Sequence, residues 1–219
     1  MNVRERYLEN LKELRKETLR MGVLVEEALR KSVTSLVEQD NEQAAKVVKD
    51  DEAINAMELD IEDRSTVLIA KEQPVASDLR NVITGLKIVT QLERMGDHAV
   101  HIAKTTLRLA GQTYMKPLID IPRMGEVCVK MAREVLTAFM NDDADKARMV
   151  ATMDEEVDDL HAQVQRELFT HMMEDTSKIT QAIQLLFVSR YLERFADHIT
   201  NISEWIIYGQ TGAHVELNR

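Results

Sequence analysis

The sequence LERMGDH at residues 92–98 returns as LERFADH at residues 192–198, a spacing of 100 residues. Each copy carries a Glu and an Asp four positions apart, and residues at this spacing lie on the same face of an α-helix. Two like charges so close destabilise a helix unless a cation offsets them. The repeated motif therefore predicts two helices, each of which carries an acidic site.

Other segments of the chain repeat as well. Met21-Gly22 returns as Met124-Gly125, and Asp51-Glu52 returns as Asp154-Glu155, both at an offset of 103 residues. The offset falls to 100 at the acidic motifs, which is what a loop shortened by three residues would produce. A period near 100 is longer than the roughly 20 to 50 residues of solenoid repeats. The pattern indicates a tandem duplication of a small domain.

The composition favours helices throughout. Seven Gly, three Pro and 4% aromatic residues accompany abundant Leu, Ala, Glu, Lys and Arg, which are strong helix formers. Apolar residues recur at helical spacing in three segments of each copy. The predicted helices span residues 4–38, 42–72, 78–111, 120–140, 144–174 and 179–208.

The turns between these helices are short. Long helices joined by short loops pack antiparallel, so we predict an all-α fold of two tandem three-helix bundles related by internal duplication. The link between the two copies begins with Gly111 and ends with Pro117, two residues that interrupt helices. It places the boundary between a first domain at residues 1–112 and a second at 113–219.

Charge and hydropathy exclude several classes of function. The formal net charge of -10 disfavours nucleic acid and direct binding to anionic lipid, which both need basic patches. No apolar run approaches the roughly 20 residues of a membrane-spanning helix, so we expect a cytoplasmic protein. The single cysteine, Cys128, excludes an internal disulfide, and its apolar neighbours predict a buried position.

Antiparallel packing identifies the residues that face each acidic motif. With turns centred near residues 75 and 177, the second helix of each copy brings three further polar side chains towards its motif. The expected neighbours are Asp51, Asn55 and Glu58 for the first motif, and Asp154, Asp158 and His161 for the second.

Such clusters, rich in carboxylates, suit Mg, Mn, Ca or iron, and zinc is an option where an imidazole is present. The alternative is an acidic surface paired to arginines, for which Arg80, Arg94, Arg166 and Arg194 are available. The sequence lacks the paired Glu-x-x-His motifs of di-iron enzymes and any phosphate-binding or nucleophile motif. We therefore expect no enzyme, and keep a metal-dependent enzyme built from the acidic clusters as the alternative.

The whole chain resembles the PhoU family, the accessory regulators of bacterial phosphate-specific transport. The resemblance rests on the duplication, both Leu-Glu-Arg-x-x-Asp runs, the opening Met21-Gly22 segment, Gln73-Pro74 followed by residues 77–80 (SDLR), and residues 172–175 (MMED). The family motif, Glu or Asp followed four positions later by Asp, falls on Glu93 with Asp97 and on Glu193 with Asp197. The resemblance implies multinuclear iron or zinc sites at these four residues in some members.

The resemblance also implies a mode of action. It predicts an adaptor that dampens the phosphate transporter and the phosphate-sensing two-component kinase when phosphate is plentiful. The expected partners are the transporter's ATPase subunit and the histidine kinase, reached at the inner membrane face through protein contacts. A homodimer is also expected.

Overall fold

The computed structural model describes residues 3–217 and contains no strand in that range. Its helices are α1 (Val3–Glu38), α2 (Asn41–Glu72), α3 (Ser77–Arg108), α4 (Asp120–Asn141), α5 (Ala144–Ala151), α6 (Asp154–Glu174) and α7 (Ile179–Thr211), with a 3-10 turn at Thr176–Lys178. Helices α1 to α3 pack together, and α4 to α7 form the second bundle. The all-α fold of two related bundles is confirmed. Within the described residues no helix is long and apolar enough to cross a membrane.

The predicted continuous helix over residues 144–174 is wrong, because the chain turns at Thr152 and Met153. The Thr152 hydroxyl donates to the carbonyl of Met149 over 2.8 Å, and the amide of Met153 donates to that of Val150 over 3.0 Å. Three acidic residues then open α6, where the helix dipole favours negative charge. Together α5 and α6 occupy the place of α2 in the first bundle.

Equivalent aspartates begin the middle helix of both bundles. The side chain of Asp40 accepts a hydrogen bond of 2.9 Å from the amide of Gln43, and that of Asp143 accepts one of 2.9 Å from Lys146. Each carboxylate thereby satisfies an otherwise unpaired amide of the first helical turn. At the other end of the chain, α7 ends at Thr211, three residues beyond the predicted end, and Gly212 caps it at φ +74°.

One large hydrophobic core runs through both bundles, with buried residues from all seven helices, and Ala44, Val47 and Ala103 form a small second cluster between α2 and α3. Cys128 lies in it, fully buried as predicted. The bundles meet where α3 packs on α7 and α1 packs on α4. The division of the chain at residue 112 remains a prediction.

The repeated Met-Gly pairs lie where α1 crosses α4. A Cβ on Gly22 would lie 2.5 Å from a methyl of Leu136, and one on Gly125 would lie 3.0 Å from a methyl of Val33. The contacts are reciprocal under the duplication, since Val33 and Leu136 are also 103 positions apart. The glycines permit the close approach of the two helices.

Two candidate metal centres

The first cluster lies between α2 and α3 and contains Asp51, Asn55, Glu58, Glu93 and Asp97. Burial raises the pKa of Asp51 and of Glu58, and Asp97 and Glu93 respectively lie close enough on the facing helix to raise it further. Asn55 donates to Asp51 Oδ2 over 3.3 Å. Asp51 Oδ1 and Asn55 Oδ1 are buried and have no hydrogen-bond partner among the described residues. A Cβ on residue 96 would lie 3.4 Å from Asp51 Oδ1, an ordinary contact distance, which agrees with the alanine at the equivalent position 196.

The negative charge of this cluster is poorly compensated. Burial, and then repulsion from Glu93, raises the pKa of Glu58 to about 7. Burial and the neighbouring Asp97 raise the pKa of Asp51 and of Glu93 as well. A bound cation would reverse these shifts by favouring the ionised carboxylates.

The second cluster lies between α6 and α7 and contains Asp154, Asp158, Glu193 and Asp197. Burial, followed by repulsion from Asp158, raises the pKa of Asp154 to about 7. Burial is also the main cause of the raised pKa values of Glu193 and Asp197. Asp154 Oδ1 and Glu193 Oε2 are buried without a hydrogen-bond partner among residues 3–217.

Arginines pair with the second cluster. Arg190 donates to Glu193 Oε1, while Arg194 lies 3.5 Å from Asp197 Oδ2 and 3.9 Å from Glu193 Oε2. The ion pairs expected of Arg194 are therefore present, whereas Arg80 donates to the carbonyl of Gly209. Sequence reasoning missed Arg190, although its three-residue spacing from Glu193 was a usable signal.

His161 lies on α6, but both of its ring nitrogens form hydrogen bonds inside the protein. It is 8% exposed, with Nδ1 3.0 Å from Ser189 Oγ and Nε2 2.7 Å from Gln165 Nε2. Because Ser189 donates its own proton to the carbonyl of Leu186, its oxygen accepts from Nδ1, and Nε2 accepts from Gln165. Neither nitrogen is free to bind a metal in this arrangement.

A histidine pair joins α3 to α7 beside the clusters. Nε2 of His98 lies 3.3 Å from Nε2 of His198, the rings stack at 5.3 Å, and Nδ1 of His198 lies 2.8 Å from Gln91 Oε1. Burial lowers the pKa of both imidazoles to about 4, so both are neutral near pH 7. The two residues occupy the same position of the repeated motif, which was the available signal that they meet.

The donor chemistry of both clusters fits a divalent cation. Carboxylate oxygens dominate both sets, and several of them are buried without a partner, a cost that coordination would remove. In residues 3–217 no three side chains of His, Cys, Asp or Glu are grouped closely enough to hold an ion. Rotation of these side chains would therefore have to accompany metal binding.

Fold and site together define a class of two-bundle helical proteins with one acidic cluster per repeat. The model of the PhoU domain matches residues 18–106 and again 121–206. The chain belongs to the PhoU family.

Relatives cover almost the entire chain. The phosphate-specific transport system accessory protein PhoU homolog of Clostridium acetobutylicum is 43% identical over 210 residues, which cover 95% of this chain and 96% of that protein. PhoU of Escherichia coli is 36% identical over 208 residues, 94% of this chain and 86% of that protein.

Solved structures give the same result. The crystal structure of PhoU from Pseudomonas aeruginosa superposes with a TM-score of 0.91 at 36% identity, and covers 94% of this chain and 100% of that one. The phosphate transport system regulatory protein PhoU from Streptococcus pneumoniae superposes with a TM-score of 0.89 at 35% identity, over 96% and 99% of the two chains. The architecture derived above is therefore that of the family.

Proposed function

We propose that this chain is a regulatory accessory protein of a phosphate transport system and acts by protein contact. The observation that carries the proposal is the match, over 95% of the chain at 43% identity, to a relative named as a phosphate transport accessory protein. The alternative of a metal-dependent enzyme gains no support, because the relatives are named for transport.

In detail, the protein lowers phosphate uptake and phosphate-sensing signalling when phosphate is plentiful. Its partners are the transporter's ATPase subunit and the sensor histidine kinase. Because no helix in residues 3–217 could span a membrane and the net charge of -10 repels anionic lipid, it reaches the inner membrane face from the cytoplasm through these proteins. A homodimer is part of the proposal.

The second bundle offers a surface for such a contact, here called the α6–α7 apolar face. Large apolar side chains are exposed on both sides of the turn between these helices, at Phe169, Met173, Ile179, Ile183 and Phe187. The last three recur every four residues and therefore share one side of α7. Exposed apolar patches of this kind mark protein interaction sites, and we assign this one to the ATPase subunit.

We also propose divalent metal ions, iron or zinc, at both clusters. Glu93 and Asp97 would bind the ion together with Asp51 and Glu58 in the first cluster, and Asp154, Asp158, Glu193 and Asp197 would bind it in the second. The ion would supply positive charge between neighbouring helices. Without the ion, repulsion between the carboxylates opposes the packing of α2 against α3 and of α6 against α7. A bound ion would offset this repulsion.

Co-purification tests the adaptor function. Tagged protein is isolated with gentle membrane solubilisation from phosphate-replete cells, and its partners are identified by mass spectrometry. We expect the ATPase subunit with the wild type, and its loss from a variant with Ile183→Ser and Phe187→Ser. Leu59→Ser on α2 is the matched control, since Leu59 is 62% exposed but lies in the other bundle.

The proposal fails if wild-type protein recovers no transporter subunit and deletion of the protein leaves phosphate uptake unchanged in phosphate-replete medium. If the subunit is recovered equally with all three proteins, the adaptor function stands but the assigned surface is wrong.

A further inference from the structure

The two clusters differ in the positively charged side chains that contact them. From the third helix of each copy onwards the repeats align at an offset of 100, so Arg190 corresponds to Thr90. We propose that Arg190 is a resident cation of the second cluster, and that the first cluster is consequently the higher-affinity site for a divalent metal ion. This inference rests on the metal binding proposed above.

The contacts of the two residues are different in kind. Arg190 donates from Nη1 to Glu193 Oε1 across one turn of α7, and the Glu193 side chain is only 12% exposed. Thr90 donates its hydroxyl to the carbonyl of Leu86 over 3.2 Å and brings no charge to its cluster. The second cluster alone therefore has one carboxylate oxygen occupied by a guanidinium on this side.

The arginine inside the motif also lies closer to the carboxylates in the second cluster than in the first. Arg194 lies 3.5 Å from Asp197 and 3.9 Å from Glu193. Its counterpart Arg94 forms no ion pair within 4 Å in the part of the chain that the structure describes, and influences Glu58 and Glu93 only at longer range. Each cluster holds four carboxylates, but only the second has two arginines in direct contact.

A third difference lies on the facing helix. At the offset of 103 that relates α2 to α6, Glu58 corresponds to His161. Glu58 contributes a carboxylate to the first cluster, whereas both nitrogens of His161 are engaged by Ser189 and Gln165. Because Asp158 stands in the second cluster where Asn55 stands in the first, the clusters remain equal in carboxylates, and they differ in the arginines that contact them.

Competition between Arg190 and a metal ion for Glu193 should weaken metal binding at the second cluster. A metal ion at the second cluster must either displace Arg190 from Glu193 or bind beside its positive charge through Oε2 alone. Hydrogen bonds between charged groups contribute about 1.5 to 3 kcal/mol, which corresponds to about 10- to 100-fold in affinity. We expect the second site to bind more weakly than the first by about this factor.

The test is a Mn²⁺ titration of chelator-treated protein at pH 7.5, in which the EPR signal of the free ion reports binding. Wild-type protein should fill one cluster tightly and the other about 10- to 100-fold more weakly. Glu93→Gln with Asp97→Asn should abolish the tight ion, whereas Glu193→Gln with Asp197→Asn should leave it unchanged.

Reciprocal substitutions then separate Arg190 from the rest of the site. Arg190→Thr should strengthen the weak site towards the tight one, and Arg190→Gln should do the same while it keeps a polar, uncharged side chain. Thr90→Arg should weaken the tight site. In the metal-free proteins, thermal unfolding should occur at lower temperature in Arg190→Thr and at higher temperature in Thr90→Arg, because the change in charge compensation does not depend on the ion.

The inference is overturned if the two wild-type affinities are equal, if the tight ion belongs to the second cluster, or if Arg190→Thr leaves the weak site unchanged. Absence of Mn²⁺ binding in every variant would overturn it together with the proposed metal sites. The adaptor function is measured by co-purification and would be unaffected by that result.

Discussion

Helices α3 and α7 carry the same motif but have diverged unequally around the helix. Their shared side is the contact between the bundles, where His98 meets His198 and Leu92 and Leu192 are both fully buried or nearly so. Positions directed towards the separate surroundings of each bundle have changed, as in Thr90 and Arg190. The contact has changed as well, since Gln91 and Tyr191 occupy equivalent positions and each touches the motif histidine of the opposite helix, so the two helices retain the two carboxylates and the histidine of the motif more strictly than the residues around them.

The largest expected effect compares the buried residue inside each motif. Phe195 is 0% exposed and its counterpart Met95 is 1% exposed. Phe195→Ala should lower the free energy of unfolding by about 3 to 5 kcal/mol, and Met95→Ala by about 2 to 5 kcal/mol, because each leaves a cavity in the core. Urea denaturation followed by circular dichroism measures both.

Since one core runs through both bundles, each variant should unfold in a single transition. A loss below about 1 kcal/mol for Phe195→Ala would contradict the packing described here. Two separate transitions would show that the bundles unfold independently.

A smaller effect on the free energy of unfolding is expected when glycines of the first bundle are replaced by alanine. Gly22→Ala places a Cβ 2.5 Å from a Leu136 methyl, whereas Gly85→Ala meets nothing within 4 Å. We expect Gly22→Ala to destabilise the protein by about 1 to 3 kcal/mol through overpacking. Gly85→Ala should stabilise it by about 0.5 to 1 kcal/mol, because alanine favours the helix.

The same urea measurement separates these two variants. Stabilisation by Gly22→Ala would mean that α1 and α4 separate easily at their crossing, or that Leu136 repacks without cost. Destabilisation by Gly85→Ala would show a neighbour for that position that the described contacts lack.

Local signals explain what could be predicted from the sequence. Asp40 and Asp143 act on amides three residues away, so the chain pattern contains the whole interaction. The carboxylate clusters needed only the helix period and the position of one turn, and Asp51, Glu58, Asp154 and Asp158 lie as antiparallel packing requires. The division of the chain into two related bundles followed from the repeat itself.

Features that depend on tertiary packing could not be obtained in this way. No Gly or Pro marks the break at Thr152 and Met153, where packing of the second bundle overrides a helical pattern. The orientation of His161 depends on Ser189 from another helix, and the contact of the two motif histidines depends on how α3 crosses α7. Helical periodicity contains none of this information.

The smallest expected effect is the change in stability of the metal-free protein with pH. It is small because the carboxyl groups and the histidines shift the stability in opposite directions. The pKa of Glu58 is about 7 in the folded protein against an ordinary value of 4.5, so the folded state binds more protons than the unfolded state between these values. Stability from this group is therefore lost as pH rises from about 4.5 to about 7. His98 and His198, with pKa values lowered to about 4, act oppositely, and their contribution is lost as pH falls from about 6.5 to about 4.

Glu58→Gln removes only the first of these contributions and should separate the two. In the presence of EDTA, the variant should exceed the wild type in thermal stability above pH 7, and the difference should shrink towards pH 4.5. Asp154→Asn should behave in the same way in the second bundle, since burial and Asp158 raise its pKa to about 7 as well. Asp159→Asn, at an exposed position on the same helix, supplies the control. Equal pH profiles for all four proteins would mean that the ionised carboxyl groups of the clusters do not lower the stability of the folded state. The electrostatic argument for a bound cation would then fail.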